Sequence, residues 1–458
     1  MRPTDVREHR LSDDYPDQAK DPRQPFQIDR DRILYSNAFR RLAGVTQVVS
    51  PGEGEIFHNR LTHSLKVAQI ARRMAETFLR LQPKQVAAWG GINPDVCEAA
   101  ALAHDLGHPP FGHVAEYELQ RLVSGALAPP KKKGAKGTSA TSVEGYEGNA
   151  QSFRIVTELS VRRPQSRHGL DLTRATLNAT LKYPWVCGEN PDNPKKYGAF
   201  ECDREAFTFA REGDIGPLQR SLEAQIMDWA DDITYSVHDT EDFYRAGLLP
   251  LDRLASNPTE QDRFRASIRA RNANRDKPLE MNGDFDAVFS GLFDNIRVRD
   301  RYEGGRRQQE ELYAFVAGKI AEYVRATKLL DPPGRAGEAL EVPSSLRKEV
   351  ALMKELTWTY VIENPALAAH QYGQRKAIVK LFEVFDEEGV EGRWTLFPSF
   401  YRERGEGLVK KHGSNAVPVA ERVRLVADTI ASMTDRQALI VYQQLTGVSP
   451  SSMLDPVA

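Results

Sequence analysis

Apolar residues along most of this chain recur every three or four positions, the spacing that gathers them on one face of a helix. RLTHSLKVAQIARRMAETFLRL is the clearest case, with Leu61, Leu65, Ala68, Ala71, Ala75 and Phe78 in one stripe over about five turns. DRILYSNAFRRLAGV carries a rougher stripe of Ile33, Ala38, Phe39 and Leu42. PDVCEAAALAHDLGH is Ala-rich, opens near Pro94 and is stopped by Gly107, Pro109 and Pro110. GHVAEYELQRLV resumes a helix. GNAQSFRIVTEL, LTRATLNATLKYPW and the long SLEAQIMDWADDITYSVHDTEDFYRAG follow, with CGENPDNPKKYG as a loop among them. Further on, helices are predicted for QEELYAFVAGKIAEYVRAT, SLRKEVALMKELTWTYVIE, QRKAIVKLFEVFDEE and VPVAERVRLVADTIASMTDRQALIVYQQLTG, interrupted by DPPGRAGEALEVPSS. Period-two alternation is scarce, and only GRWTLFPSF and DLTRATLNATL are ambiguous. The expected fold class is all-α, without an internal repeat.

Residues 1–27 are charged and Pro-containing and are expected to form an N-terminal arm. SGALAPPKKKGAKGTSATS, residues 124–142, is low in complexity and reads as a mobile surface insertion whose lysines either face solvent or meet an anionic partner.

Composition narrows the class. At 458 residues the chain can bury a large core, and 40% hydrophobic with 28% charged residues is ordinary for a globular protein. It contains no run of 18 apolar residues that would span a membrane, and MRPTDVREHRLSDDYPDQ lacks the apolar centre of a secretory signal. Cys97, Cys187 and Cys202 lack metal-ligand spacing and cannot all pair, so a reduced, cytoplasmic setting is expected. A net charge of −2 argues against nucleic-acid binding by bulk electrostatics. A small polyanionic substrate stays open, because a cleft needs only a few local Lys and Arg residues.

Five of the ten histidines, His58, His63, His104, His108 and His113, fall in one short stretch. HNRLTHS and HDLGHPPFGH look like pieces of a metal site, and WADDITYSVHD further along has the carboxylates to complete it. Two imidazoles and two carboxylates hold a divalent ion while leaving positions for water and phosphate. Each fragment has a plainer reading. His63 stands at a helix start where Thr62 and Ser64 offer caps, a His-Asp dipeptide arises by chance, and acidic residues form solvated faces. Together they favour His63, His104 and Asp105 with one carboxylate of the downstream pair. Asp231 is preferred over Asp232 because Asp231, Tyr235 and Asp239 project from one helix face. His113 and Glu116, at i and i+3, form either a surface pair or an acid/base dyad in which the carboxylate orients the imidazole. His108, in the turn, reaches a phosphate or a group around the ion.

At these residues the chain resembles the HD-domain deoxynucleoside triphosphate triphosphohydrolases, and more narrowly their bacterial deoxyguanosine triphosphate triphosphohydrolase-like branch. HNRLTHS, AHDLGHPPFGHVAE and ADDITYSVHDTED carry the likeness, with RDRILYSNAFRRLAGVTQV, EGNAQSFRI and TLKYPW in the same order over residues 28–245. The resemblance implies a helical metal-dependent phosphohydrolase core over residues 28–250, with a C-terminal helical region, 251–458, packing on it. It implies cleavage of a dNTP to deoxynucleoside and tripolyphosphate. One divalent ion, Mn, Mg or Fe, would be held by His63, His104, Asp105 and Asp231, with His113 and Glu116 as the catalytic pair. Arg60, as a bidentate grip, with Lys182, His108 and Tyr235, would hold the phosphates; Gln47 and Asp239 would hold the sugar 3′-hydroxyl. A homo-oligomer, and a dNTP or single-stranded DNA effector, are further expectations. The insertion departs from the family's compact pattern. Two other readings compete: another HD phosphohydrolase acting on a nucleotide or phosphomonoester, and a nucleotide-sensing regulatory protein with little turnover.

Overall fold

The structure, a computed structural model, describes residues 5–12, 21–48, 58–128, 144–163, 167–213, 216–275, 278–294, 296, 298, 300–332, 334, 337–413 and 416–448. Among them the fold is all-α, apart from a two-stranded antiparallel pair, Lys328–Leu329 with Leu340–Glu341. The second strand lies in the DPPGRAGEALEVPSS segment expected to be irregular. Neither GRWTLFPSF nor DLTRATLNATL forms a strand; the second becomes the helix Arg174–Ala179, capped by Thr173.

The centre is built around the helix Pro94–Ala103. Ala99, Ala100, Ala101 and Ala103 are fully buried, and its one polar edge, Asp95 and Glu98, pairs with Arg72. Small side chains let three helices close on it: Pro25–Leu34, the 22-residue Arg60–Leu81 and the 24-residue Leu222–Arg245. Asn59 and Ser221 cap the last two by accepting from Thr62 N and Ala224 N. Thr62 and Ser64 therefore do not supply the cap. Ala68, Ala71, Ala75 and Phe78 of the predicted stripe of Arg60–Leu81 are buried, but its first turns face differently. Val67, Ala71, Met74 and Phe78 are buried with His63 and Ser64, whereas Leu65 is 43% exposed. The polar His63 belongs to the inward face, and sequence hydrophobicity alone places it wrongly.

DRILYSNAFRRLAGV divides into two helices, the first starting at Pro25 and the second, Asn37–Arg41, capped by Ser36. Residues 5–12, expected to belong to a loose arm, are packed. Arg10 is buried, ion-pairs with Asp29 at 2.7 Å and bridges backbone to Thr173. Residues 129–142 of the expected insertion lie outside the described residues; Ser124–Leu127 end the helix His113–Leu127.

A second core forms on that same helix. Phe111, Ala115, Leu119 and Val123 meet Ile378, Leu381 and Phe385 of Pro365–Val390 and Val423, Val426 and Ile430 of Val419–Ala431. The first core instead takes in the helix Ser344–Thr357, which packs on Leu222–Arg245. The C-terminal region thus touches both the acidic helix and the helix that begins at His113. Asp428, fully buried, accepts from Gln151 Nε2 at 2.9 Å and ion-pairs with Arg154 at 3.0 Å, tying this region to the helix Gly148–Arg154. Replacing Asp428 with Ala leaves a buried guanidinium short of a partner, and thermal or denaturant unfolding should show a loss of about 3–5 kcal/mol.

Candidate active site

Three of these four packed helices deliver polar residues to one point. His63 sits in the first turn of Arg60–Leu81, and His104 is the residue that ends Pro94–Ala103. Asp231 lies in the middle of Leu222–Arg245. His63 Nε2 is 3.0 Å from Asp231 Oδ1, and the two imidazole centroids are 5.6 Å apart. His104 Nδ1 donates to Ala101 O at 2.6 Å, which fixes its tautomer and turns Nε2 inward. That Nε2 is buried without a hydrogen-bond partner, 3.4 Å from Asp105 Oδ1 and 3.7 Å from Asp231 Oδ1. Donor atoms of His63, His104 and Asp105 lie within 4.8 Å of one another. Two nitrogens and two carboxylates, with an orphaned buried nitrogen facing the acids, fit a hard-to-borderline divalent ion.

Electrostatics agree with that donor set. Burial alone would raise Asp105, but the Arg60 guanidinium, His104 and His108 hold it well below the usual carboxylate range. Burial would likewise raise Asp231, and Lys182 with His104 and His63 outweighs it. His104 is pushed up to about 9, burial being overcome by Asp105 and Asp231. His108 goes down to about 4, through burial and the neighbouring Arg60 charge, and is neutral near pH 7.

A sharp turn carries the chain from this cluster to the dyad. Gly107 permits it to pass against the helix Gly148–Arg154, since a Cβ there would lie 2.1 Å from Gly148 O. Phe111 and Gly112 then take φ of 64° and 58°, and His113 begins its helix. His113 Nδ1 is 2.8 Å from Glu116 Oε2, while its side chain is 73% exposed. Glu116 is buried; its Oε1 accepts from Gly148 N at 3.3 Å and Lys196 Nζ at 3.2 Å. Burial would push Glu116 up, but the His113 hydrogen bond and the Lys196 charge take it well below its ordinary value. His108 links the two clusters, with Nδ1 3.0 Å from Asp105 Oδ1 and Nε2 4.0 Å from Glu116 Oε2.

Other predicted residues are placed less simply. Arg60 is only 2% exposed; Nη1 donates to Asp105 Oδ2 at 2.7 Å and Nε to Thr46 O at 2.9 Å. Only Nη2 is left without a hydrogen-bond partner, so the nitrogen of Arg60 still free to grip a ligand is this one, with its two N–H groups, anchored by the other two nitrogens. Lys182 Nζ lies 2.7 Å from Asp228 Oδ1 and 3.3 Å from Asp231 Oδ2. Its charge is engaged by two carboxylates of the helix Leu222–Arg245, one of them Asp231. Tyr235 and Asp239 follow Asp231 along the same helix; Asp239 Oδ2 and Gln47 Oε1 are both buried without a hydrogen-bond partner. Burial, reinforced by Asp242 and Asp231, pushes Asp239 well above its ordinary range.

Lys196 and Glu147, which joins it at 2.9 Å behind Glu116, were not anticipated. Lys196 stands in the CGENPDNPKKYG stretch, where no periodicity marks a lysine as inward-facing. Gly112 is a second position in this turn where an added side chain would be costly. A Cβ there would combine a positive φ with a 3.0 Å approach to Arg60 Nη2. Gly112→Ala should cost about 1–3 kcal/mol in thermal unfolding and displace the one free donor of Arg60.

Comparison with known proteins follows the same outline. Residues 60–164 match the HD domain and residues 340–444 the phosphohydrolase-associated domain. A deoxyguanosinetriphosphate triphosphohydrolase-like protein of Streptomyces coelicolor is 34% identical, covering 94% of this chain and 95% of its own. The chain belongs to that family. Deoxyguanosinetriphosphate triphosphohydrolase-like proteins of Corynebacterium glutamicum, 33% identical over 91% of this chain and 90% of theirs, and Rhodopseudomonas palustris, 31% over 97% and 95%, are further relatives. As a member of the deoxyguanosinetriphosphate triphosphohydrolase-like family the protein is a hydrolase of the HD phosphohydrolase type. Its site lies where the HD-domain match begins, at Arg60, and runs through the His113 helix. Among the described residues no helix is long and apolar enough to cross a membrane.

Proposed function

We propose that the protein is a divalent-metal-dependent dNTP triphosphohydrolase that attacks the α-phosphorus and releases deoxynucleoside and tripolyphosphate. The observation that carries this reading is the junction of two clusters through His108: four prospective metal ligands on one side, a His–Glu dyad on the other. His63, His104, Asp105 and Asp231 would hold the ion, and the ion supplies Lewis-acid stabilisation of charge on the phosphate oxygens. Arg60 Nη2, pinned by its sister nitrogens, donates to a phosphate oxygen at no reorganisation cost. Water adds to the α-phosphorus as the bond to the 5′-oxygen breaks. His113 gives its proton to that oxygen, and Glu116, anchored by Gly148 N and Lys196, holds the imidazole in place. The added oxygen leaves on the tripolyphosphate. The relatives, deoxyguanosinetriphosphate triphosphohydrolase-like proteins, make dGTP the first substrate to try.

The test is incubation of the metal-loaded protein with each dNTP and NTP in ¹⁸O-water, with products resolved by chromatography and mass spectrometry. Deoxynucleoside together with ¹⁸O-labelled tripolyphosphate is the expected outcome. Pyrophosphate or orthophosphate as the primary product means another bond is cut, and the reading moves to a different HD phosphohydrolase. Binding of a dNTP with metal and no turnover moves it to a sensor.

A further inference from the structure

We propose that the junction between the last two described helices, Met433–Asp435, holds the catalytic turn in its working shape, with Asp435 as a positioning residue. This rests on the reading of His113 as proton donor. Asp435 is the first residue of the helix Asp435–Thr446, but the cap is supplied by Thr434, in a capping box with Gln437. The Asp435 carboxylate is therefore released from duty to its own helix, and it is buried. It spans two segments more than three hundred residues away in sequence. Oδ1 accepts from Phe111 N at 2.8 Å, and Oδ2 accepts from Thr46 N at 3.0 Å and from Thr46 Oγ1.

Both targets adjoin the chemistry. Phe111 is a non-glycine residue at φ 64°, a strained conformation that persists only when its surroundings hold it, and it stands two residues before His113. The carbonyl of Thr46 is the acceptor that fixes Arg60 Nε. One carboxylate thus sets the entry to the His113 helix and the anchor of the free phosphate donor.

A second clamp runs to the same junction. Arg41 Nη2 donates to Leu106 O at 2.6 Å and His108 O at 2.8 Å, and Nη1 donates to Met433 O at 3.0 Å. Gly44 closes the contact, since a Cβ there would lie 2.8 Å from the Thr434 methyl group. The turn from Leu106 to Gly112 is held at its start by Arg41 and at its end by Asp435, and both reach residues 433–435. Buried turn amides and carbonyls need such partners. The phosphohydrolase-associated segment is on this account a working part of the site.

The experiment is a double-mutant cycle on the full-length, metal-loaded protein, with dGTP as substrate. Asp435→Asn is the probe: an amide keeps the shape but presents one acceptor oxygen, so Phe111 N or Thr46 N must face an NH₂ group. Expected results are a fall of tenfold or more in kcat/KM in the wild-type background and less than threefold on His113→Ala. Hydrogen exchange of the Gly112–Glu116 amides, none of which Asp435 contacts, should rise tenfold. Glu355→Gln, a buried change in the same C-terminal region that pairs with Arg271 and Arg275 and touches neither the turn nor the helix Gly148–Arg154, controls for lost stability: assayed where it remains folded, it should keep kcat/KM within threefold. Asp435→Asn within threefold of wild type, an equal factor on His113→Ala, unchanged exchange, or an equal loss in Glu355→Gln each overturns the positioning role. Absence of tripolyphosphate from the wild-type protein, or full turnover by His113→Ala, is a different result: it removes the function reading, and the positioning role with it.

Discussion

His113→Ala should lower turnover by about a hundredfold or more, the usual worth of a positioned proton donor, while metal uptake stays at its wild-type level. The side chain is 73% exposed and stands at the first position of its helix, so truncation opens no cavity in either core. Its only hydrogen-bond partner in the site is Glu116, which keeps Gly148 N and Lys196 after the change. None of the four prospective metal ligands contacts His113; the nearest imidazole is His108, at 5.2 Å between centroids. The variant should therefore melt with the wild type and bind Mn with the same affinity, as calorimetry and thermal unfolding would report. A rate within threefold of wild type removes the proposed acid. Reading the loss as a kcat effect matters: a side chain used only to bind substrate would raise KM and spare kcat.

The chemistry of this chain is more legible in its sequence than its packing is. His104, Asp105, His113 and Glu116 lie within a few turns of one another, so a local phrase exposes them, and Asp231 was separable from Asp232 because helical period ties it to Tyr235 and Asp239. Less legible are the side-chain pairings that distant segments impose. The face of Arg60–Leu81 was drawn through Leu65 because hydrophobicity carries no sign that His63 and Ser64 turn inward, toward Asp231. Nothing in the local sequence shows that Arg60 pairs with Asp105 or Lys182 with Asp228. Lys196 and Asp435 reach the site from an aperiodic loop and from a helix near the far end of the chain, and no spacing rule links them to residues 46, 111 or 116. One miss was local and avoidable. The break between Val419–Ala431 and Asp435–Thr446 is marked by Thr434 and Gln437, a capping-box pattern inside a stretch whose apolar period runs on as one helix.

Asp231→Ala should cost at least about a hundredfold in metal affinity, more than is usual for a group that only supports a ligand, and turnover should vanish with it. Asp232→Ala should keep affinity within threefold. The two carboxylates are neighbours in sequence and differ in surroundings. Asp231 faces His63 Nε2 at 3.0 Å and His104 Nε2 at 3.7 Å, whereas Asp232 meets Lys354 Nζ and is 37% exposed. The wild-type site carries a second signature. With its donors held together as they are, Asp105 and Asp231 keep His104 protonated up to about pH 9, and an imidazolium nitrogen cannot ligate. Metal must displace that proton. Uptake below pH 9 should release it, so affinity strengthens as pH rises, by up to about tenfold per pH unit from this group, and levels off once His104 is neutral. Competition against a chelator of known pH dependence at three pH values, with calorimetry in two buffers of different ionisation enthalpy, measures both slope and proton. In Asp231→Ala the slope should flatten as well, because His104 loses one of the two charges that raise it. Equal affinities for the Asp231 and Asp232 variants, or uptake without proton release, would place the ion somewhere other than between these three helices.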